Sequence, residues 1–238
     1  MVLYLLHRPA LLLVLLPIVS PLDLTEESFD YSSPSYWEKR YAKQEGSFEW
    51  YGVKWEILAR AIKPQIMRDA RVLHLGTGNS MLPEEMYNAG FTRQIAVDIS
   101  GTVIEKMRTR LGHLGPALEF AVEDALNMTY ASESFDVVLE KGTMEALAAE
   151  RDCPLLEDGC EMVPAEKGLL SEALRVLRPG GLLVSVADEM LGLEELQAYG
   201  LERIETVKLA EKDGIPVPKH VYLLFKAPRA SSLARQDL

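Results

Sequence analysis

The chain has 238 residues, 48% of them hydrophobic and 26% charged, which suits one globular α/β domain with a sizeable core. Its net charge of −11 argues against non-specific nucleic-acid binding, which needs a basic face; the acidity fits ordinary solubility or a basic protein partner. Cys153 and Cys160 stand without a Cys-x-x-Cys or a Cys/His cluster, so neither a metal site nor a disulfide framework is implied, and a bond between them needs an oxidising compartment.

The chain opens on an apolar run, Ala10–Leu16, between Arg8 and Pro17. It is shorter than the about 20 residues that span a bilayer. Its length suits a signal-peptide core, but no small-x-small cleavage site follows and Pro21 sits where cleavage would fall. Three readings stand: a signal or signal-anchor, an organelle-targeting leader, or a start upstream of the real domain. Residues 1–21 are therefore set apart from the fold. A cytoplasmic monomer is expected, with this run as the one route to a membrane, an organelle or the secretory pathway.

Residues 22–35 read as a linker, polar and turn-rich from Ser28 to Ser35. A domain over residues 36–228 follows, and residues 229–238 read as a flexible tail. The domain starts with two aromatic-rich stretches, Tyr36–Tyr41 and Trp50-Tyr51-Gly52. The spacing of Trp55, Leu58, Ala59 and Ile62 predicts a helix ending before Pro64. Strands are predicted at Arg71–Leu75, Gln94–Asp98, Leu118–Val122, Phe135–Glu140 and Gly181–Ala187, with helices at Leu82–Asn88, Gly101–Leu111 and Lys167–Leu177. Such alternation makes a parallel sheet with helices on both faces. Leu177–Gly181 reads as a turn between helix and strand, Pro179 stopping the helix and the glycines supplying positive φ. Leu201–Leu209 and Lys219–Lys226 then form a hairpin around Asp213-Gly214, which must place one antiparallel strand in the sheet. The expected fold is α/β, a Rossmann-like seven-stranded class I methyltransferase sheet with a C-terminal antiparallel hairpin.

The chemistry centres on Leu75-Gly76-Thr77-Gly78-Asn79-Ser80, a strand running into a glycine-rich turn and a helix start, with Ser80 as a natural N-cap. Glycines let bare backbone approach a nucleotide-like ligand, although plain strand–helix turns favour them too. Asp98 follows 22 residues after Gly76 and is placed to accept both hydroxyls of a ribose, to cap the helix after Ser100, or both. A dinucleotide fingerprint needs Gly where this chain has Met81, so a nucleoside without phosphates, S-adenosylmethionine, fits better. Asp124 and the amide of Ala125 suit an adenine edge, or else form a solvated acidic turn. The fourth strand ends Glu140-Lys141-Gly142-Thr143 rather than Asn/Asp-Pro-Pro-aromatic, which disfavours nucleobase methylation. Glu140 and Glu145 are candidates to hold an incoming ammonium, or else ordinary acids at a helix start.

The motifs Tyr-Trp-Glu-Lys-Arg-Tyr (36–41), Trp-Tyr-Gly (50–52), Leu-Gly-Thr-Gly-Asn-Ser (75–80) and Phe-Asp-Val-Val-Leu-Glu-Lys-Gly-Thr-Met-Glu-Ala-Leu (135–147) resemble a group of methyltransferase-like proteins. That group includes the elongation factor 1-alpha lysine methyltransferases and the mitochondrial citrate synthase lysine methyltransferase. The resemblance runs from Tyr36 to Lys226. It implies a protein-lysine methyltransferase acting on an elongation factor 1-alpha-like protein. It further implies that Trp37, Tyr41 and Trp50 close over the cofactor, with Gly76, Asp98, Ile99, Asp124, Ala125 and Lys141 completing the site beside Gly78 and Asn79. Aromatic rings can cover adenine or face a sulfonium, and equally pack a helix on a sheet. The chain departs from the group at Thr77, commonly Cys, at Glu145, commonly Asp, and in its short tail, which bears on the acceptor more than on the cofactor. Two alternatives stay open: a small-molecule or polyamine-related transferase on the same fold, and a non-catalytic cofactor-binding scaffold.

Overall fold

The computed structural model describes residues 30–149, 161–187, 196, 198–208 and 220–229. The leader over residues 1–21, Cys153, Cys160, the Asp213-Gly214 turn and the tail from residue 230 lie outside the described residues. Among the described residues no helix is long and apolar enough to cross a membrane.

The elements in chain order are α1 (Pro34–Lys43), α2 (Trp55–Ile62), β1 (Val72–Leu75), α3 (Leu82–Asn88), β2 (Gln94–Asp98), α4 (Gly101–Leu111), β3 (Leu118–Val122), β4 (Phe135–Lys141), α5 (Thr143–Leu147), α6 (Pro164–Val176), β5 (Leu177–Ala187), β6 (Leu201–Lys208) and β7 (His220–Lys226). They build a seven-stranded sheet in the order β3-β2-β1-β4-β5-β7-β6. β1 to β5 pair in parallel, while β7 runs antiparallel to both β5 and β6. The expected hairpin thus inserts its second strand into the sheet and leaves the first at the edge.

The central strands are dry on both faces, their residues alternating between two clusters. Val137 and Leu139 of β4, with Val221 and Leu223 of β7, pack with Leu58, Ile62, Leu82 and Met86 of α2 and α3. Val138, Tyr222 and Leu224 point the other way, into a cluster with Leu169, Leu170, Ala173 and Leu174 of α6. A third cluster joins Tyr41 of α1 to Val103, Ile104, Met107 and Leu111 of α4, and so ties the N-terminal segment to the β2–β3 side.

Two expectations need correction. α6 starts at Pro164 rather than Lys167, because Pro164 fills the first turn and Glu166 reaches back to accept from the Val163 N–H at 2.8 Å. Leu177–Gly181 is not a turn between helix and strand. Leu177 already pairs with Phe135, and Leu182 pairs with Val137, so residues 178–181 form a bulge inside β5. Arg178 spans the bulge to Asp136 Oδ1 at 2.6 Å, and Asp136 Oδ2 accepts from the Arg71 N–H at 2.6 Å.

Candidate functional site

The chain leaves β1 outward through β2 and β3, then returns to β4 on the other side of β1. The carboxyl ends of β1 and β4 therefore flank a topological switch point, where open α/β sheets bind ligands. A cavity of about 290 Å³ opens there. Its floor comes from residues following four strands: Gly76 after β1, Asp98 and Ile99 at the end of β2, Glu123–Leu126 after β3, and Lys141–Thr143 at the end of β4. Ala146 and Leu147 of α5 add a side, and the remaining wall is N-terminal, made by Tyr31, Ser32, Pro34, Trp37, Tyr41 and Trp50.

The wall is built ring on ring. Trp37 stacks on Tyr41 with centroids 5.8 Å apart, and Trp37 meets Trp50 edge-on at 6.2 Å. The Arg40 guanidinium lies 5.2 Å from the Trp50 ring and 5.7 Å from Trp37. α1 is anchored by Lys106, whose Nζ donates to the Tyr41 and Gln44 carbonyls at 2.5 and 3.0 Å.

Two glycines are required for different reasons. Gly76 has φ +56°, and a Cβ there would collide with the Thr143 side chain, whose hydroxyl donates to the Leu75 carbonyl at 3.1 Å. Gly78 has φ +51°, and its Cβ would sit 2.5 Å from the Tyr41 hydroxyl. Gly78 and Asn79 do not line the main cavity. They border a smaller adjoining one, where the Gly78 N–H donates to Asp98 and the Asn79 amide donates to the Gly46 carbonyl at 2.7 Å.

Asp98 is 6% exposed. One carboxylate oxygen accepts from the Gly78 N–H at 2.8 Å and the other from the Ser100 N–H at 3.0 Å. The Ile99 N–H adds a weaker pull, and the two oxygens still have lone pairs to accept more. Burial pushes the carboxyl up to about 6, against the pull of the Ser100 and Gly78 N–H groups. The helix after Asp98 is capped by Ser100 itself, which accepts from the Val103 N–H at 3.3 Å. Asp124 is exposed, and its Oδ1 accepts from the Leu126 N–H at 2.8 Å, which folds residues 124–126 into a tight turn beside Ile99 at the cavity.

Lys141 is buried and forms an ion pair with Glu49, also approaching the Val53 carbonyl at 3.3 Å. Burial lowers its ammonium pKa and the Glu49 charge opposes that. Glu49 in turn accepts from the Ser80 hydroxyl at 2.9 and 3.0 Å and from the Met81 N–H at 2.5 Å. Ser80 is not the N-cap of α3 as expected. Met81 holds that position and makes no side-chain cap bond; its own N–H goes to Glu49, and the Ser80 hydroxyl still accepts from the Leu82 N–H at 3.1 Å, the bond expected of a cap, from one residue further back.

Glu140 is placed differently from expectation. It is fully buried, off the cavity lining, with Ser185 donating to one oxygen and the Thr143 and Met144 N–H groups donating to the other at 3.0 and 3.2 Å. It caps α5, and burial pushes its carboxyl up to about 7. Glu145 is half-buried on α5 and also off the lining. Of the expected cofactor residues, Trp37, Tyr41, Trp50, Gly76, Asp98, Ile99, Asp124, Ala125 and Lys141 share the one cavity. Sequence reasoning passed over Glu49, Thr143 and Tyr31. Glu49 lies directly before the Trp-Tyr-Gly motif and Thr143 inside the fourth motif, whereas Tyr31 sits in a stretch that composition marks as linker.

Residues 66–210, more than half the chain, match the family model described as a methyltransferase domain. Among curated proteins, EEF1A lysine methyltransferase 4 of Mus musculus is 37% identical over 170 residues, covering 71% of this chain and 66% of its own length. The eEF1A lysine and N-terminal methyltransferase of Xenopus laevis is 37% identical over 223 residues, covering 87% of this chain and 30% of its own length. This chain thus spans just under two thirds of the first and less than a third of the second. Among solved structures, a methyltransferase of Methanosarcina mazei described as SAM-dependent superposes with TM-score 0.54 at 16% identity, over 71% of this chain and 97% of that one. The phosphoethanolamine N-methyltransferase 1 of Haemonchus contortus, in complex with phosphoethanolamine and S-adenosylhomocysteine, gives TM-score 0.54 at 16% identity, over 85% of this chain and 50% of that one. At such identity the likeness is one of fold. With the sheet order and the matched region in agreement, the chain belongs to the methyltransferase domain family and has its class I, S-adenosylmethionine-dependent fold.

Proposed function

We propose that this chain is an S-adenosylmethionine-dependent protein-lysine methyltransferase acting on an elongation factor 1-alpha-like protein. The observation that carries the reading is the cavity at the switch point, where a buried carboxylate with spare acceptor capacity faces the same space as an aromatic wall. The relatives named for methylation of elongation factor 1-alpha support the acceptor.

The residues present fit the cofactor. Asp98 would accept the ribose hydroxyls, while Ile99, Asp124, Ala125 and Leu126 would receive the adenine. Gly76, which bears no side chain, would let the methionine portion pass, and Lys141 would face its carboxylate. Trp37, Tyr41 and Trp50 would cover it and exclude water. When bound, S-adenosylmethionine supplies a methyl group activated by a sulfonium. The chain's own contribution is alignment: it holds the acceptor amine, arriving neutral, in line with that methyl and keeps the site dry. Among the described residues the acids on the lining are Asp98, at the end of β2, and Glu123 and Asp124, after β3.

The test is a labelling assay with the full chain, tritiated S-adenosylmethionine and recombinant elongation factor 1-alpha, with Asp98→Ala as control. A labelled lysine that disappears in Asp98→Ala is expected. Intact cofactor binding with no label on that protein, or on any band of a whole-cell lysate, would refute the reading.

A further inference from the structure

The cavity wall contains two aromatic groups with different attachments. Trp37 and Tyr41 belong to the β2 side, since Tyr41 packs with α4 and its hydroxyl abuts Gly78. Trp50 belongs to the β4 side, and Tyr31 bridges the two groups, its ring 5.8 Å from Trp37 and in contact with Trp50 as well. The Tyr31 and Trp50 rings meet edge-on at 6.1 Å, Trp50 adjoins Tyr51 at 6.3 Å, and the Tyr51 hydroxyl lies 3.2 Å from the position a Gly142 Cβ would take. The end of the cavity nearest β4 thus has Trp50, Gly142 and Thr143 on its lining, and Tyr31 joins it through its edge-on contact with Trp50.

Tyr31 is held firmly by α1. Its carbonyl accepts from the Trp37 indole N–H at 2.7 Å, and its ring meets Tyr36 edge-on at 5.0 Å. Its hydroxyl is hydrogen-bonded to Tyr36, whose own hydroxyl accepts from Arg40 at 3.0 Å. The hydroxyl is therefore engaged inside the wall, and what Tyr31 offers the cavity is its ring. Among the described residues lining this end no carboxylate is present, because Glu140 caps α5 and Glu145 is off the lining. Among these described residues an ammonium finds no counter-charge, which favours entry of the neutral amine. Aromatic faces, by contrast, attract the methylammonium that forms after transfer.

We infer that Tyr31 is a specificity-determining residue that forms, with Trp50, a seat for the acceptor lysine, their rings holding the amine and its methylated forms. The inference rests on the proposed protein-lysine methylation. A seat of this kind keeps a partly methylated amine in place for another round, so it favours higher methylation states.

The experiment compares the full chain with Tyr31→Leu and Tyr31→Phe on recombinant elongation factor 1-alpha. It reads KM and kcat for the acceptor, the methylation states by mass spectrometry, and S-adenosylhomocysteine affinity by calorimetry. Tyr31→Leu should raise the acceptor KM roughly tenfold and shift the product towards monomethyl-lysine, with cofactor affinity within about twofold of wild type. Tyr31→Phe should stay close to wild type. An unchanged Tyr31→Leu overturns the inference alone. So does a Tyr31→Phe as impaired as Tyr31→Leu, which would assign the effect to the hydroxyl. A Tyr31→Leu whose cofactor affinity falls along with its activity overturns it as well, by making Tyr31 part of the cofactor wall. A wild type that methylates no lysine of this acceptor overturns the parent reading, and the inference with it.

Discussion

Gly78 offers a stringent test of how the wall meets the floor. The residue does not line the main cavity, so its lack of a side chain serves the contact with Tyr41. In Gly78→Ala the new Cβ would lie 2.5 Å from the Tyr41 hydroxyl, while the next nearest atom, Tyr41 Cζ, is at an ordinary 3.4 Å. Tyr41 is 5% exposed, stacked on Trp37 and packed with α4, so it has little room to yield. Two costs therefore combine. An alanine held at φ +51° costs about 1–2 kcal/mol. Overpacking against the hydroxyl adds about 1–3 kcal/mol. The second cost disappears when the hydroxyl is removed. Gly78→Ala should therefore be milder in a Tyr41→Phe background by about 1–3 kcal/mol, a coupling that a double-mutant cycle resolves. For a chain of this size that corresponds to about 2–12 °C in Tm. Thermal unfolding of wild type, both single variants and the double variant measures it, with S-adenosylhomocysteine affinity followed in parallel. An equal cost for Gly78→Ala in both backgrounds would refute the assignment of this glycine to the Tyr41 contact.

Three further outcomes are expected. Asp98, raised to about 6, stabilises the unliganded fold below its unfolded value of 3.8 and loses that contribution as pH rises through about 6. Ribose hydroxyls need the ionised form instead, so S-adenosylhomocysteine affinity should weaken about tenfold per pH unit below about 6, and a flat calorimetric profile would exclude Asp98 as their acceptor. Glu140, raised from 4.5 to about 7, has the same sign, contributing about 3 kcal/mol that is present below the lower value and lost through the upper one. Glu140→Gln should accordingly flatten the fall in urea midpoint between about pH 5 and about pH 8, and an unaltered slope would refute the burial argument. Glu49→Gln leaves the Lys141 ammonium buried without its counter-charge and should cost about 3–5 kcal/mol by denaturant unfolding, with Lys141→Met in the same chain recovering part of it. No recovery would show that Glu49 matters only through Ser80 and Met81.

Much of the fold can be read from local pattern, and the exceptions share a cause. Gly101–Leu111 carries its cap, Ser100, and a buried face, so both of its ends are legible. The Leu177–Gly181 stretch has the composition of a turn, yet the neighbouring strand recruits Leu177 opposite Phe135 and forces the intervening residues out as a bulge. Pairing across a sheet between residues distant in sequence is not written in local composition. Glu140 shows the same limit at the site. At the end of a strand it resembles a substrate-facing acid, but alternation puts it on the face of Val138, towards α6, while Lys141 shares the face of Leu139. Its partner Ser185 sits directly opposite in β5, which only the register reveals. Tyr31 was hidden for another reason: turn-forming neighbours made it read as linker, whereas residues 30–33 fold back through the Ser33 N–H to Asp30 carbonyl bond at 3.2 Å.

The cavity has a floor and a wall from different parts of the chain. The floor falls within residues 66–210, the region matching the methyltransferase domain, while every aromatic residue of the wall precedes residue 66. The glycine turn and the buried Asp98 thus lie inside the matched region, while the rings that face them lie outside it. Any ligand gripped by both parts also holds that segment against the sheet. Protease sensitivity around residues 30–52 then becomes a direct gauge of site occupancy, decreasing as ligand rises above its Kd. For this chain the segment is a cover contributed from outside the matched region, and a graft of residues 30–52 between relatives tests whether selectivity travels with it.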